Sequence, residues 1–376
     1  MAEITFHDEV PAVLDGASAL FICGPAALIQ KFGQNTFSLG LPSDLAVSFG
    51  LLVEAGIGSG SAFKPTAVST AVLTKGSVKR LVLVPLADEV TRHVSPAQSY
   101  AITSGLASGG LSGVKGTAAI IMLPSQSEFL SASALGIGRS CPLYTVKTTE
   151  APLSHVKCVF IGFRPVGAAA DIPVDESLEA VHGEMTALRR AQALADMPAQ
   201  ECNTSQFEAA AHEAVGGVEG VTITSIVGKD LEAQGFGGIY NVGRAGVDPP
   251  RMVVLEFKPK FTETGPALGL VGKGIVFDSG GLDLKGSPRY MKGDMGGAAA
   301  VLGAFESVVK MVGSTGFSRP LFACLMLAEN AIGPESYRPD GAILHCLSLF
   351  FHHFVTFPIT FVTFSITFSI ILSLSP

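Results

Sequence analysis

The sequence predicts an α/β protein with two domains, and three observations support that fold class. The chain has 376 residues, which is enough for two domains of ordinary size. Hydrophobic residues make up 48% of it and 43 residues are glycine, as expected of a large packed α/β protein. Short apolar runs bounded by glycine, proline or polar residues recur along the chain, as strands do. In the first 170 residues these runs are Leu20–Cys23, Leu81–Leu86, Ala118–Leu123 and Val156–Gly162.

Residues 1–170 are therefore predicted to form an N-terminal α/β domain. Within it, the Ser- and Gly-rich segment Ser95–Gly116 is compatible with either a helix or a loop. No catalytic constellation is visible, because His7, His93 and His155 stand far apart in the sequence. His93 lies in a charged segment and is interpreted as solvated.

Residues 171–198 are predicted to connect the two domains. Asp171–Pro173 has the composition of a turn, and a helix is expected from Glu176 because apolar residues follow it at helical spacing. Pro198 is expected to end that helix. A second helix is predicted to start at Ser205, with Glu208 three residues later completing a capping box. Both helices are interpreted as scaffold.

Residues 199–344 are predicted to form a second α/β domain, in which strands and helices alternate. The predicted strands are Val221–Val227, Met252–Phe257, Leu268–Val271 and Leu321–Leu327, and the predicted helices are Lys229–Ala233 and Ala298–Lys310. This alternation predicts a mostly parallel sheet with right-handed crossovers. Sites in such sheets form beyond the carboxyl ends of strands, and a charged stretch follows the predicted strand Leu268–Val271.

That charged stretch, LVGKGIVFDSGGLDLKGSPRYMKGDMGGAAA at residues 270–300, has two interpretations. It is either a solvated loop between a strand and a helix, or a metal site, since carboxylates are hard ligands for divalent cations. A nucleotide-binding loop is excluded. That pattern needs a glycine five residues before the Gly272–Lys273 pair and a Ser or Thr after the lysine, whereas Ala267 and Gly274 stand there.

Charge, cysteine usage and the N-terminus narrow the class of protein. The formal net charge of −7 and the lack of a dense basic cluster argue against nucleic-acid binding. The six cysteines form no Cys-x-x-Cys pair, which favours isolated thiols in a reducing compartment over a disulfide scaffold or a thiolate zinc site. The first residues, MAEITFHDEV, are acidic and polar, so no signal peptide is expected there.

The charged stretch resembles the active-site signature of the leucyl aminopeptidase family of two-metal exopeptidases. VGKGIVFDSGG, LDLK and MKGDMGGAAA follow in the order and nearly the spacing of the family, and GGIYNVGRAGVDPPRMVVLEF resembles it as well. The resemblance extends from about Asp175 to Leu344 and favours the metal site over the solvated loop. It is weak over the N-terminal domain, which is variable in the family and serves oligomer contacts.

The resemblance implies a role for four side chains. Lys273 and Asp278 match metal ligands, with Asp278 bridging two ions, and Asp294 matches a ligand of one ion. Lys285 matches the catalytic lysine that polarises the scissile carbonyl. A lysine can ligate a metal only as the neutral amine, whereas Lys285 must stay protonated to stabilise an oxyanion. Lys292 and Asp283 are interpreted as solvated.

The resemblance breaks down near the C-terminus. Ala328–Asn330 and Tyr337–Pro339 still match, but the family signature NTDAEGR, which supplies two further carboxylate ligands and an arginine, is absent. After Asp340 the sequence has no Asp, Glu, Lys or Arg. Residues 345–376 form an apolar low-complexity tail that contains His345, His352 and His353, for which no carboxylate partners are visible. The tail is interpreted as read-through or a misjoined exon rather than a membrane anchor, because Ile359–Ser375 is short for a span and lacks flanking basic residues.

The chain is therefore expected to be a cytoplasmic metal-dependent aminopeptidase by family, in a C-terminally truncated or mis-spliced form. The resemblance implies two divalent ions, Zn²⁺ or Mn²⁺, peptide substrates and a homohexamer. With three candidate ligands left, at most one weakly bound ion and little hydrolysis are expected, and the missing segment argues against the hexamer. The alternative is a non-catalytic structural or regulatory member of the family; a membrane-tethered protein would rest on the tail alone.

Overall fold

The computed structural model describes residues 2–34, 39–57, 68–92, 99–123, 129–145, 153–161, 174–260, 266–311, 316–338, 359–364 and 371–372. The chain divides into two compact units, residues 1–189 and 190–376. The boundary falls inside the long helix Val174–Asp196.

The first unit is built on a six-stranded sheet. Its strands are β1 (Glu3–Phe6), β2 (Ala17–Pro25), β3 (Ser69–Val72), β4 (Arg80–Leu86), β5 (Gly116–Met122) and β6 (Leu153–Phe160), in the order β1-β6-β5-β2-β4-β3. All neighbours pair in parallel except β3, which runs antiparallel to β4. The helices are α1 (Val10–Leu14), α2 (Ala26–Gln34), α3 (Ser43–Ile57), α4 (Ser99–Ser108) and α5 (Leu130–Arg139).

Both faces of this sheet are buried, as a parallel sheet requires. Successive residues of β2 alternate between the two cores: Phe21 and Cys23 pack on one side, Leu20 and Ile22 on the other. The four predicted strands of this unit are confirmed. The open question at Ser95–Gly116 resolves into helix α4 and a short 3-10 helix, Leu111–Gly113. His93 lies outside the described residues.

The helix expected from Glu176 is observed as α6 (Val174–Asp196), which ends two residues before Pro198. The predicted turn Asp171–Pro173 lies outside the described residues. The next helix is α7 (Thr204–Val215). The capping-box prediction is wrong. Asn203 is the N-cap and its side chain accepts a hydrogen bond from the Gln206 amide, whereas Glu208 binds Ser225 and Arg251.

The second unit contains another six-stranded sheet. Its strands are β7 (Val221–Val227), β8 (Arg251–Phe257), β9 (Ala267–Asp278), β10 (Leu321–Asn330), β11 (Ile359–Phe364) and β12 (Ile371–Leu372), in the order β12-β11-β9-β10-β8-β7. The helices after α7 are α8 (Lys229–Ala233), α9 (Gly237–Gly243) and α10 (Gly296–Lys310). On β8, Val253 and Leu255 belong to one core and Met252 and Val254 to the other, so both faces are covered.

The prediction of a mostly parallel sheet is confirmed only in part. The central strand β9 pairs in parallel with β10 and with β11. β8 runs antiparallel to β10, and β7 runs antiparallel to β8. The carboxyl ends of β9 and β10 therefore meet at one edge, and that edge carries the charged stretch.

Two short strands lie within the apolar tail. β11 pairs along β9 from Ala267 to Gly272, and β12 pairs with β11. The rest of residues 345–376 lies outside the described part of the chain, including His345, His352 and His353. None of the described helices combines the length and apolar composition that a membrane crossing requires.

Candidate metal centre

The strand β9 carries the first two residues of the site, and it is longer than the sequence suggested. The strand was expected to end at Val271, which would have placed Lys273 in a loop, but β9 continues to Asp278. Lys273 therefore lies within the strand and Asp278 is its last residue. The glycines of VGKG are compatible with a strand here because a Cβ at Gly272 would lie 2.5 Å from the Ala298 Cα of α10. The small residue allows β9 and α10 to approach closely.

Asp278 is held from three directions. Its Oδ1 accepts hydrogen bonds from the Gly280 amide at 3.0 Å and from the Asn330 Nδ2 at 2.8 Å, while its Oδ2 lies 2.6 Å from the Lys285 Nζ. Burial alone would raise the pKa of this carboxyl, but the hydrogen bonds from Lys285, Asn330 and Gly280 outweigh burial and bring the pKa below its usual value. Asp278 is therefore an ionised, oriented carboxylate.

The turn after Asp278 brings Lys285 back towards it. Gly280 and Gly281 have φ angles of 91° and 69°, in the left-handed region that favours glycine. A Cβ at Gly280 would lie 2.3 Å from the Asp283 carbonyl oxygen, so the turn has no room for a side chain there. The Lys285 amide donates to the Ser279 carbonyl at 2.9 Å, which closes the turn.

Asp294 reaches the same place from another element. It lies in the 3-10 helix Met291–Met295 that leads directly into α10, and that helix begins after Tyr290, whose φ of 67° is unusual for a non-glycine residue. Its Oδ2 lies 3.0 Å from the Lys273 Nζ. The ion-pair distance is short, but the geometry does not make a directed hydrogen bond, and this buried oxygen has no other hydrogen-bond partner among the described residues.

Burial raises the pKa of Asp294, and the nearby charge of Asp278 adds to that effect although Lys273 opposes it. The charges of both Asp278 and Lys285 act on Asp294, so the Lys285–Asp278 pair lies near the Lys273–Asp294 pair. The structure thus brings together all four side chains that the sequence singled out. The cluster contains two amines and two acids, so its formal charges balance.

The donor atoms of this cluster are of a kind that can bind a dication. The Asp294 Oδ2 is a buried hard donor without a directed hydrogen bond, and Lys273 would be a nitrogen donor beside it once deprotonated. Charge neutralisation is limited, however, because only Asp278 and Asp294 are anionic. Across the part of the chain that is described, no three His, Cys, Asp or Glu side chains converge into a metal-holding group. The donor set suits one ion rather than two.

Two neighbours of the cluster differ in their surroundings. Asp283 is exposed, as expected. The prediction that Lys292 is solvated is wrong, because its side chain is partly buried and its Nζ donates to the Asp196 carbonyl. Sequence reasoning missed Asn330 as a partner of Asp278. The only signal was that Ala328-Glu329-Asn330 matched the family pattern, with no chemistry attached.

A cavity of about 770 Å³ lies against the segment 288–292 between β9 and α10. It is lined in part by Asp248, Phe277, Lys292 and Glu329. Burial raises the pKa of Glu329, and the charge of Asp248 adds to the shift. Phe277 and Lys292 stand close in sequence to Asp278 and Asp294, but none of the four charged side chains of the cluster is among the residues that line this cavity.

Comparison with known proteins identifies a family that part of the chain resembles. Residues 189–348 match the model of the cytosol aminopeptidase family, catalytic domain. The chain is 38% identical over 259 residues to a probable aminopeptidase NPEPL1 of Mus musculus, which covers 68% of this chain and 47% of that protein. It is 31% identical over 353 residues to leucine aminopeptidase 1 of Caenorhabditis elegans, covering 91% of this chain and 65% of the relative.

The fold of the chain is also similar to that of solved aminopeptidase structures. A leucyl aminopeptidase from Leishmania major in complex with actinonin superposes with a TM-score of 0.76 at 26% identity, over 92% of this chain and 65% of that one. The chain thus spans about half the length of the mouse relative and just under two thirds of the worm and Leishmania proteins. Residues 189–348 of this chain are thus similar to the catalytic domain of the cytosol aminopeptidase family, and the described fold is similar to that of solved leucyl aminopeptidases.

Proposed function

We propose that this chain carries the metal-dependent aminopeptidase site of its family in an impaired form. The observation that carries the proposal is the convergence of Lys273, Asp278, Lys285 and Asp294 at the carboxyl edge of β9. The related leucyl aminopeptidases support peptide substrates with a free N-terminus. Lys273, Asp278 and Asp294 would hold one divalent ion, Mn²⁺ or Zn²⁺, with Lys285 as the catalytic cation.

When bound, the ion would polarise the scissile carbonyl of the substrate as a Lewis acid. The other contributions come from the chain itself. The Lys285 ammonium has three donors, of which one is directed at Asp278 at 2.6 Å and another lies 3.2 Å from the Met291 sulfur. The third would stabilise the oxyanion that develops on the carbonyl oxygen. Asp278 holds Lys285 in that place through their short ion pair.

We propose that the activity is weak because the site lacks anionic ligands. Asp278 and Asp294 supply two carboxylates, and residues 341–376 add no Asp or Glu to them. Both carboxylates are already neutralised by lysines, so an ion must compete with ammonium groups for them. Fewer carboxylates lower the affinity for a dication, and without a second ion the attacking water is less activated.

Calorimetric titration with Mn²⁺ and with Zn²⁺, followed by an assay on leucine-p-nitroanilide, tests the proposal. We expect one weak binding event per chain, slow turnover, and the loss of both in the Asp278→Asn variant. Asp283→Asn is a matched control, because Asp283 lies in the same loop but is exposed. Two tight ions, or turnover typical of an intact family enzyme, would contradict the impaired site.

A second candidate function is a non-catalytic structural or regulatory subunit. The specific observation in its favour is that the four charges balance without any ion, because each carboxylate forms an ion pair with a partly exposed lysine. In that case calorimetry shows no binding of Mn²⁺ or Zn²⁺ at millimolar concentration, and Asp278→Asn lowers stability without changing any activity.

Location and partners follow from the same proposal. We propose a cytoplasmic location, in keeping with the family name, and no nucleic-acid partner, in keeping with the net charge of −7. The homohexamer of the family remains an expectation for this chain. Light scattering coupled to size-exclusion chromatography measures it, and a monomer would show that the hexamer does not form.

A further inference from the structure

We infer that Asn330 is the positioning residue of this site: it fixes the Asp278 carboxylate so that only Oδ2 remains for a dication. The inference rests on the proposed function for the role of the ion. The placement of Asp278 by Asn330 is a property of the chain itself and can be tested without metal.

The first step is the position of Asn330. It is the last residue of β10 and pairs with Asp278, the last residue of β9, immediately after a register shift between Ala328 and Glu329. The register shift changes the direction of the side chains at the strand end, as β-bulges beside functional sites do. Asn330 is only 8% exposed. Its side chain is therefore confined beside the Asp278 carboxylate.

The second step is the direction of the hydrogen bond. The Asn330 Nδ2 group donates to the Asp278 Oδ1 at 2.8 Å. The Asn330 Oδ1 then points away, and this buried oxygen has no partner among the described residues. Burying an unpaired carbonyl costs free energy. The contact with Asp278 is the interaction that offsets this cost.

The third step is the distribution of donors over the carboxylate. Oδ1 is held by two neutral donors, Asn330 Nδ2 and the Gly280 amide. Oδ2 accepts from the Lys285 ammonium as its one donor among the described residues, so a lone pair of Oδ2 stays free. A dication would therefore meet Oδ2, while Oδ1 stays fixed.

The fourth step is that Asn330 also closes the turn next to the site. Its carbonyl accepts from both the amide and the hydroxyl of Ser279, at 3.1 and 2.5 Å, and the Ser279 Oγ accepts from the Gly281 amide at 3.1 Å. A Cβ at Gly281 would lie 3.1 Å from the Asn330 Oδ1. One residue thus orders both the carboxylate and its turn, through two different groups that mutation can separate.

Asn330→Ala removes the side-chain contact and leaves the backbone contact. The matched control is Ser279→Ala, which loosens the same turn but keeps the Asn330–Asp278 hydrogen bond. In a calorimetric titration with Mn²⁺, we expect Asn330→Ala to bind roughly 10–100-fold more weakly, as losses of partners of metal ligands do, and Ser279→Ala to bind close to wild type. Equal losses in both variants would mean that only the rigidity of the turn matters, and would overturn the inference.

Asn330→Asp separates positioning from direct ligation. It replaces the donor by an acceptor of the same shape, so we expect binding at least as weak as that of Asn330→Ala. Tighter binding of Mn²⁺ by Asn330→Asp would show that this side chain reaches the ion itself, and the positioning role would be wrong.

A metal-free arm uses urea unfolding of wild type, Asn330→Ala, Asp278→Ala and the double variant. We expect Asn330→Ala to lower the urea midpoint clearly in the wild-type background and much less in the Asp278→Ala background, because the hydrogen bond is already absent there. Equal shifts in both backgrounds would overturn the inference. A wild-type chain that binds no Mn²⁺ would defeat the proposed function only, since the urea cycle still decides the role of Asn330.

Discussion

The contact between β9 and α10 offers a direct test of how the site is built. We predict that Gly272→Ala destabilises the protein, because the new Cβ would lie 2.5 Å from the Ala298 Cα, 2.8 Å from its nitrogen and 2.8 Å from the Gly297 oxygen. All three atoms belong to the backbone, so no side chain can rotate away. Ordinary contacts of a Cβ are 3.4–4 Å, so the strand and helix must separate by about 1 Å.

The cost can be estimated from overpacking in other cores. Inserting a methyl group into a packed core costs about 1–3 kcal/mol, and the rigid backbone on the far side puts Gly272→Ala near the upper end. For a unit the size of residues 190–376, a loss of about 3 kcal/mol lowers the melting temperature by roughly 6–12 °C. Lys273 lies next to Gly272, and Asp294 lies just before α10, so the separation also stretches the 3.0 Å ion pair.

Thermal unfolding followed by circular dichroism measures the shift. The matched control is Gly286→Ala in the following loop. A Cβ there meets no described heavy atom within 4 Å, and the residue is outside the left-handed region, so we expect a neutral to slightly stabilising effect. If Gly272→Ala melts at the same temperature as Gly286→Ala, then the close approach of β9 and α10 does not exist in solution and the site geometry derived from it fails.

Three further results are expected. Arg251→Met leaves the carboxylates of Glu208 and Asp248 without their buried cation. We expect this variant to lower the free energy of unfolding, measured in urea, by about 3–5 kcal/mol. Adding Glu208→Gln to the same chain should restore much of that loss. Burial alone would raise the pKa values of Glu208 and Asp248, but hydrogen bonds to Ser225, Thr204, Ser205 and Arg251 bring both below their usual values. The two carboxylates therefore contribute fully to stability above about pH 4.5, and this contribution is lost as the pH falls through their lower folded-state pKa values. The urea midpoint measured at a series of pH values tests this. A midpoint that stays constant from about pH 5 to 2 would contradict it. Burial raises the pKa of Cys202 to about 11 and that of Cys324 to about 12. At pH 8 we therefore expect both thiols to react with a disulfide reagent in urea but not in the native protein. The absorbance of the released thiol counts the cysteines that react.

The existence of the strands and helices could be predicted from the sequence, because apolar runs bounded by glycine and polar residues report burial directly. β2, β4, β8 and β10 follow from that pattern. Strand direction could not be predicted in the same way, since the side-chain period of a buried strand is the same in parallel and antiparallel pairs. The antiparallel course of β8 and β7 depends on long-range pairing with β10, which local composition does not encode.

The length of β9 was underestimated for a physical reason. Glycines within VGKG normally weaken a strand, so the pattern favours a loop after Val271. In the structure Gly272 and Gly274 face α10 and β10 at distances that no side chain would allow. The packing of a helix on the strand reverses the local preference. Lys273 therefore projects from a rigid strand rather than from a loop.

The four charged residues of the site were identified by resemblance, and Asn330 was not identified at all. Nothing in the residues around Asn330 separates it from an ordinary strand end. Its importance depends on the register shift that sets it beside Asp278, and a register shift is visible only in the paired strands. The N-cap was misassigned for a similar reason: Ser205 fits the capping pattern, but Asn203 is the residue whose side chain reaches the free amide of Gln206.

The balanced charges of the cluster lead to a last prediction about Lys273. Lys273 can respond to a bound ion in two ways. Its ammonium group can be displaced from Asp294, or it can lose a proton and become a nitrogen ligand. Only the second releases a proton on binding. The buried Asp294 Oδ2 at 3.0 Å from Lys273 favours the second, because an ion bound by that oxygen lies within reach of the same nitrogen.

Calorimetry in two buffers with different ionisation enthalpies measures the proton directly. We expect an observed enthalpy of Mn²⁺ binding that depends on the buffer and corresponds to about one proton released per ion. Lys273→Arg is the matched control, since an arginine can keep the ion pair with Asp294 but cannot give up its proton. It should bind far more weakly, with no buffer dependence. If wild-type binding shows the same enthalpy in both buffers, Lys273 acts only as a counter-ion, and the ligand set of this site reduces to its two carboxylates.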